Sequence, residues 1–108
     1  MQTSVAKLES TQTPPPLDFT FFNGGPLANG GTSPILDASK YKTLTLTTRS
    51  SGMALSLEVS NDQSVWTVAH TISSSTQSEP FSITGHYYRI TATGEKGSVT
   101  AFAHLVAT

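Results

Sequence analysis

A chain of 108 residues with six Lys and Arg against seven Asp and Glu has a formal net charge of −1. That length supports one domain around a single core, and the near-neutral balance argues against electrostatic capture of nucleic acid, which needs clustered Lys and Arg. With no cysteine, disulfide stapling and zinc–thiolate sites are excluded.

The basic residues Lys7, Lys40, Lys42, Arg49, Arg89 and Lys96 are scattered, and only Lys40 and Lys42 come close to each other. Ser and Thr make up about 30 % of the chain. Thr suits a pleated strand surface because its Cβ is branched. A neutral, hydroxyl-rich surface suits packing against copies of the same chain, because few charges are desolvated at the contact. No apolar run approaches the ~20 residues of a membrane helix. The segment Met1 to Lys7 has no hydrophobic signal core, so classical secretion is not expected.

In chain order, residues 1–34 come first and hold five of the six prolines and four of the eight glycines. Pro14, Pro15 and Pro16 favour an extended polyproline segment. Asn23-Gly24-Gly25-Pro26 and Asn29-Gly30-Gly31 are turn signals. Between them, Leu17 to Phe22 reads as one strand. Residues 1–16 have no core of their own and read either as a disordered tail or as an arm that a neighbouring subunit holds in order.

From Ile35 onward the period is two. Leu44 and Leu46 alternate with Thr43, Thr45 and Thr47. Met53, Leu55, Leu57 and Val59 alternate with Ala54, Ser56, Glu58 and Ser60, the cleanest half-buried strand in the chain. Trp66, Val68, His70 and Ile72 are expected to share one face of the next strand, with Trp66 in the core. Phe81 and Ile83 mark a short strand. Tyr88, Ile90 and Ala92 oppose Tyr87, Arg89 and Thr91. Val99, Ala101, Ala103 and Leu105 oppose Phe102, His104 and Val106, so the last strand is apolar on both faces and is expected to be covered on both or to lie at a subunit contact. Turns fall at 50–52, 61–64, 73–78, 85–86 and 94–97.

The pattern predicts an all-β protein: a single antiparallel β-sandwich or jelly roll of seven to eight strands. Residues 1–34 form its extended N-terminal arm, with one short strand, and residues 35–108 form the sandwich.

The chemistry-bearing residues do not converge. His70, His86 and His104 are spaced by 16 and 18 residues and make no local metal motif. Among the carboxylates, Glu58 and Asp62 are nearest, but one lies on a strand's outer face and the other in a turn, which is not a glycosidase pair. No nucleophile elbow, phosphate loop or dinucleotide fingerprint occurs. The chain reads as a non-enzyme that needs no cofactor. Asn61 and Asp62 are expected to make side-chain-to-backbone turn bonds. Adjacent Tyr87 and Tyr88 must face opposite ways, one outward beside Arg89. Outward aromatics beside arginine suit protein interfaces and sugar-binding faces alike.

The segment from Ile35 to His70, followed by Phe81 to Ala107, resembles the small β-sandwich structural proteins of tailed-bacteriophage virions. The likeness rests on Asp37, Ser39, Tyr41 and Lys42 entering the first core strand, on Ser60-Asn61-Asp62 with Trp66 beyond, on Tyr87-Tyr88-Arg89-Ile90, and on the closing Gly97 to Ala107 strand. It leaves the arm uncovered. Gln63 stands where Gly often follows the Asp, which implies a longer turn. The same hairpin occurs in discoidin-like carbohydrate- or lipid-binding sandwiches.

The resemblance implies a structural role in the virion without choosing the location; a capsid decoration or cement protein on the surface of the phage head, made in the host cytoplasm, is the first expectation. Its partners would be the major capsid protein and copies of itself, as a homo-oligomer, with no nucleic acid and no membrane. The alternatives are a tail, neck or baseplate component and a carbohydrate-binding module. Contact residues are then expected on the arm (Leu8, Pro14, Pro15, Pro16, Phe19, Phe21 and Phe22) and on the outer faces (Tyr87, Arg89 and Phe102).

Overall fold

The computed structural model describes residues 14–28, 31–72, 76–94 and 96–107. Leu8 and the rest of residues 1–13 lie outside the described residues.

Nine strands, all in antiparallel pairs, form two packed sheets among the described residues. One has the order β1 (Leu17–Ala28), β9 (Lys96–Val106), β4 (Thr43–Ser51), β7 (Thr76–Ser82). The other has the order β8 (Tyr87–Thr93), β5 (Ala54–Ser60), β6 (Thr67–Ile72), with the short pieces β2 (Gly31–Thr32) and β3 (Leu36–Asp37) both on the free side of β8. The chain is therefore an all-β sandwich. Two of the nine strands are only two residues long, too short to leave an alternation in the sequence.

The core is the inner face of both sheets. Leu44 and Leu46 of β4, Leu55 and Leu57 of β5, Ile90 of β8, and Val99, Ala101, Ala103 and Leu105 of β9 are buried. Their period of two puts them on one face of each strand. Alanines at positions 101 and 103 leave room for the leucines of β4, which pair with β9 at Leu46↔Ala103 and Leu44↔Leu105.

β1 continues past the expected turn at Asn23-Gly24-Gly25-Pro26. The pairing with β9 shifts between Asn23↔Thr100 and Pro26↔Ser98, so Gly24 and Gly25 are taken up as a bulge. Gly24 has φ +93°, a region that glycine enters without strain. β1 thus belongs to the sandwich, and its Phe21 is only 3 % exposed in the core. β7 begins inside the expected turn at 73–78. Its sequence, TQSEPFS, has almost no apolar residues to mark a strand.

The free side of β8 is closed by a serine. Ser33 donates its N–H to Ile90 O, and the Ile90 N–H donates to Ser33 Oγ, both at 2.8 Å. A hydroxyl here does a carbonyl's work between β2 and β3, and Pro34, with no N–H to donate, interrupts the pairing until β3 resumes it.

Candidate interaction surfaces

The β5–β6 connection is built by Ser60 and Asp62. Ser60 Oγ accepts the N–H groups of Asp62 and Gln63. Asp62 Oδ1 accepts those of Ser64 at 2.8 Å and Val65 at 3.0 Å. These bonds hold the Asp62 carboxyl below its ordinary range, with the Val65 and Ser64 amides the leading causes. Gln63 occupies the left-handed region at φ 65°, so the position where glycine is usual keeps a glycine-like backbone with a side chain attached. Asn61 Oδ1 accepts the His86 N–H across to the β7–β8 turn. Asn61 and Asp62 are thus turn-forming groups. A second small turn has the same chemistry: Asp37 Oδ1 accepts both the N–H and the hydroxyl of Ser39, which lowers the Asp37 pKa.

Trp66 is not in the core, contrary to the sequence expectation. The reason is one residue. In the β5–β6 pairing Leu57 faces His70, but the next residue, Glu58, faces Val68, so Ala69 is unmatched. Such a bulge exchanges the two faces of everything upstream of it. Ile72 stays buried beside Leu55, while Val68 turns outward and is 52 % exposed. Trp66, two residues before Val68, lies on the same outer side, half-buried. Its ring packs under the Arg89 guanidinium, whose carbon is 4.1 Å from the ring centroid. Arg89 Nε donates to Glu58 Oε1 at 2.7 Å, a pair fixed by direct cross-strand register. The Trp66 indole N–H donates to Gln63 O. A charge pair thus sits over an aromatic that anchors the loop beside it. Alternation alone could not reveal this. The missed signal was Glu58, an outward carboxylate in register with Arg89.

Of the two tyrosines, Tyr88 goes to the core and its phenol oxygen accepts the Thr84 N–H. Tyr87 is half-buried on the outer side, with its ring 6.0 Å from that of His86.

The outer face of the other sheet centres on Phe102, which is 44 % exposed. Thr20 of β1 and Thr47 of β4 flank it in register. A hollow of about 210 Å³ lies beside it, lined by Thr47, Arg49, Thr100 and Phe102. Two residues along β9, His104 Nδ1 and Asp18 Oδ1 are 2.7 Å apart.

The arm's proline end is tied to the sandwich: Tyr41 Oη donates to Pro15 O at 3.1 Å. Pro15 and Pro16 are exposed and Pro14 half-buried. Phe19 and Phe22 are half-buried against the core. Phe21 is buried and cannot serve as an arm contact, which corrects that expectation.

Among the described residues the histidines stand apart. His70 packs on Phe81 near Glu79, His86 on Tyr87, and His104 on Asp18.

The architecture is a two-sheet antiparallel sandwich. Among solved structures, the chain is similar to the SPBc2 prophage-derived protein YomS, with a TM-score of 0.64 and 11 % identity over 88 % of this chain and 97 % of that one. It is also similar to the PBSX exported protein XepA, with a TM-score of 0.66 and 12 % identity over 85 % of this chain, but only 37 % of XepA. A chain of the T13 IBDV viral particle matches with a TM-score of 0.50 and 8 % identity, over 89 % of this chain and 32 % of that one. No protein-family model and no curated protein matches the sequence.

Proposed function

We propose that this chain is a non-catalytic structural component of a tailed-phage particle, seated on the head surface as a decoration or cement protein. The observation that carries the reading is the superposition on prophage-derived YomS over nearly that whole chain. The arm supplies the mechanism. Pro14–Pro16 run into β1 beside Tyr41, and the arm is the part proposed to bind a neighbouring capsid subunit. A stiff proline segment loses little entropy on docking. Every ~100 Å² of apolar surface the arm buries contributes roughly 2.5 kcal/mol before ordering costs. Repeated over many symmetry-related sites, such contacts resist internal pressure together.

The experiment is binding of purified protein to particles lacking it. Full-length chain should co-sediment with heads, and a version lacking residues 1–16 should fold but not co-sediment. Binding to isolated tails alone would support the tail, neck or baseplate reading.

A carbohydrate-binding reading draws on one observation, the outward placement of Trp66 and Tyr87 on the β8–β5–β6 face. Arg89 lies against the Trp66 ring and Glu58 holds Arg89 there, which favours a structural role for that cluster. A glycan array on the purified chain tests it: a specific hit abolished by Tyr87→Ala supports it, and no hit above background removes it.

A further inference from the structure

The outer face of the β1–β9–β4–β7 sheet has a symmetry of its own. Phe102 stands near its middle. Asp18 lies one strand to one side, on β1, level with His104. Arg49 lies one strand to the other side, on β4, level with Thr100. The two opposite charges are therefore displaced from Phe102 by the same step in opposite directions: one strand spacing of ~4.8 Å across and two residues, or roughly 7 Å, along. Asp18 and Arg49 are both exposed; Asp18 has His104 Nδ1 2.7 Å from its Oδ1 and keeps its other carboxylate oxygen for a partner, and Thr20, Thr47 and Thr100 carry no charge.

We infer that this face docks onto a second copy of the chain about a two-fold axis passing through Phe102. An axis lying in the plane of the contact, perpendicular to the line from Asp18 to Arg49, exchanges those two positions. Each Asp18 then meets the partner's Arg49 at both ends of the contact. A two-fold contact demands such self-complementarity. Phe102 lies on the axis, so it meets the partner's Phe102 there, and the two exposed rings cover each other. The strands of the two copies cross at a steep angle, within the orthogonal class of sheet packing. Four strands offer roughly 400 Å² of flat area per copy. The pair buries on the order of 1,000 Å², near the lower limit for a specific contact, so the dimer is weak when free and is reinforced wherever two copies are held side by side. This inference does not depend on the virion reading.

The test is sedimentation equilibrium of the full chain from micromolar to near-millimolar concentration. The wild type should show a reversible monomer–dimer equilibrium. Phe102→Glu, Asp18→Arg and Arg49→Asp should each weaken it by at least about tenfold, with unchanged circular dichroism. The double variant Asp18→Arg with Arg49→Asp should recover most of the loss, because the exchange of signs restores both pairs. A wild type that stays monomeric throughout overturns the inference. So does a dimer that Phe102→Glu leaves intact, or single charge reversals that the double variant fails to rescue.

Discussion

The Arg89 guanidinium carbon lies 4.1 Å from the centroid of the Trp66 ring, and the same group donates to Glu58 at 2.7 Å. The lone tryptophan is thus a surface anchor held by a charge pair, while the buried aromatics of the sandwich are Phe21 and Tyr88.

That placement orders two substitutions. Trp66→Ala should cost about 1–2 kcal/mol, the scale of a partly desolvated cation–π contact. Phe21→Ala should cost about 3–5 kcal/mol, because it opens a cavity in the core. Urea unfolding of both variants checks the order. A Trp66→Ala loss equal to that of Phe21→Ala would mean that Trp66 is packed as a core residue.

Thr48 is 2 % exposed on the inner face of β4, and its hydroxyl has no hydrogen-bond partner. Thr48→Val keeps the shape and removes the stranded polar group. It should stabilise the fold by about 1 kcal/mol. A raised denaturation midpoint at unchanged m-value is the expected result; a lowered midpoint would show that the hydroxyl is satisfied in solution.

Gly97 sits in β9 where a Cβ would collide with Ser51 O and the Met53 side chain. Backbone on one side leaves no room to yield. Gly97→Ala should therefore destabilise by about 1–3 kcal/mol, read from the thermal midpoint. An unchanged midpoint would mean that β4 and β9 separate more easily than this packing allows.

Asp37 and Asp62 both have pKa values held below the ordinary 3.8, Asp37 mainly by the Ser39 amide and Asp62 mainly by the Val65 amide. Below 3.8 the unfolded chain binds these protons first, so stability must fall as pH drops. The contribution is complete above 3.8 and is lost as pH falls through the depressed values. Asp37→Asn and Asp62→Asn should each flatten the acid limb of a stability–pH curve while leaving its neutral region sloping as before. Unchanged acid limbs in both would contradict the turn hydrogen bonds.

Much of the sandwich was legible because burial on one face forces period two. Leu55 and Leu57, and Val99 through Leu105, sit where alternation puts them. What failed did so at bulges. Ala69 is a single unmatched residue with no local sign, and it turned Trp66 and Val68 to the other face. Gly24-Gly25 read as a turn because glycine serves bulges and turns equally well. β2 and β3 were hidden because their pairing depends on Ser33 and on β8, more than fifty residues away. The hydrogen bonds of Asp62 were legible, since Asx turns are made within a few residues. The outer-face pairings of Asp18 and His104, 86 residues apart, were not.

The proposed function seats the chain on the head surface and has its arm hold it in place. Its most direct test is a cryo-electron-microscopy reconstruction of particles incubated with full-length chain and with chain lacking residues 1–16. The account predicts sandwich density over capsid-subunit junctions, with arm density running from Pro14 onto a neighbouring subunit, and empty sites with the truncated chain. Full occupancy by the truncated chain, or bare heads with the full-length one, would contradict it.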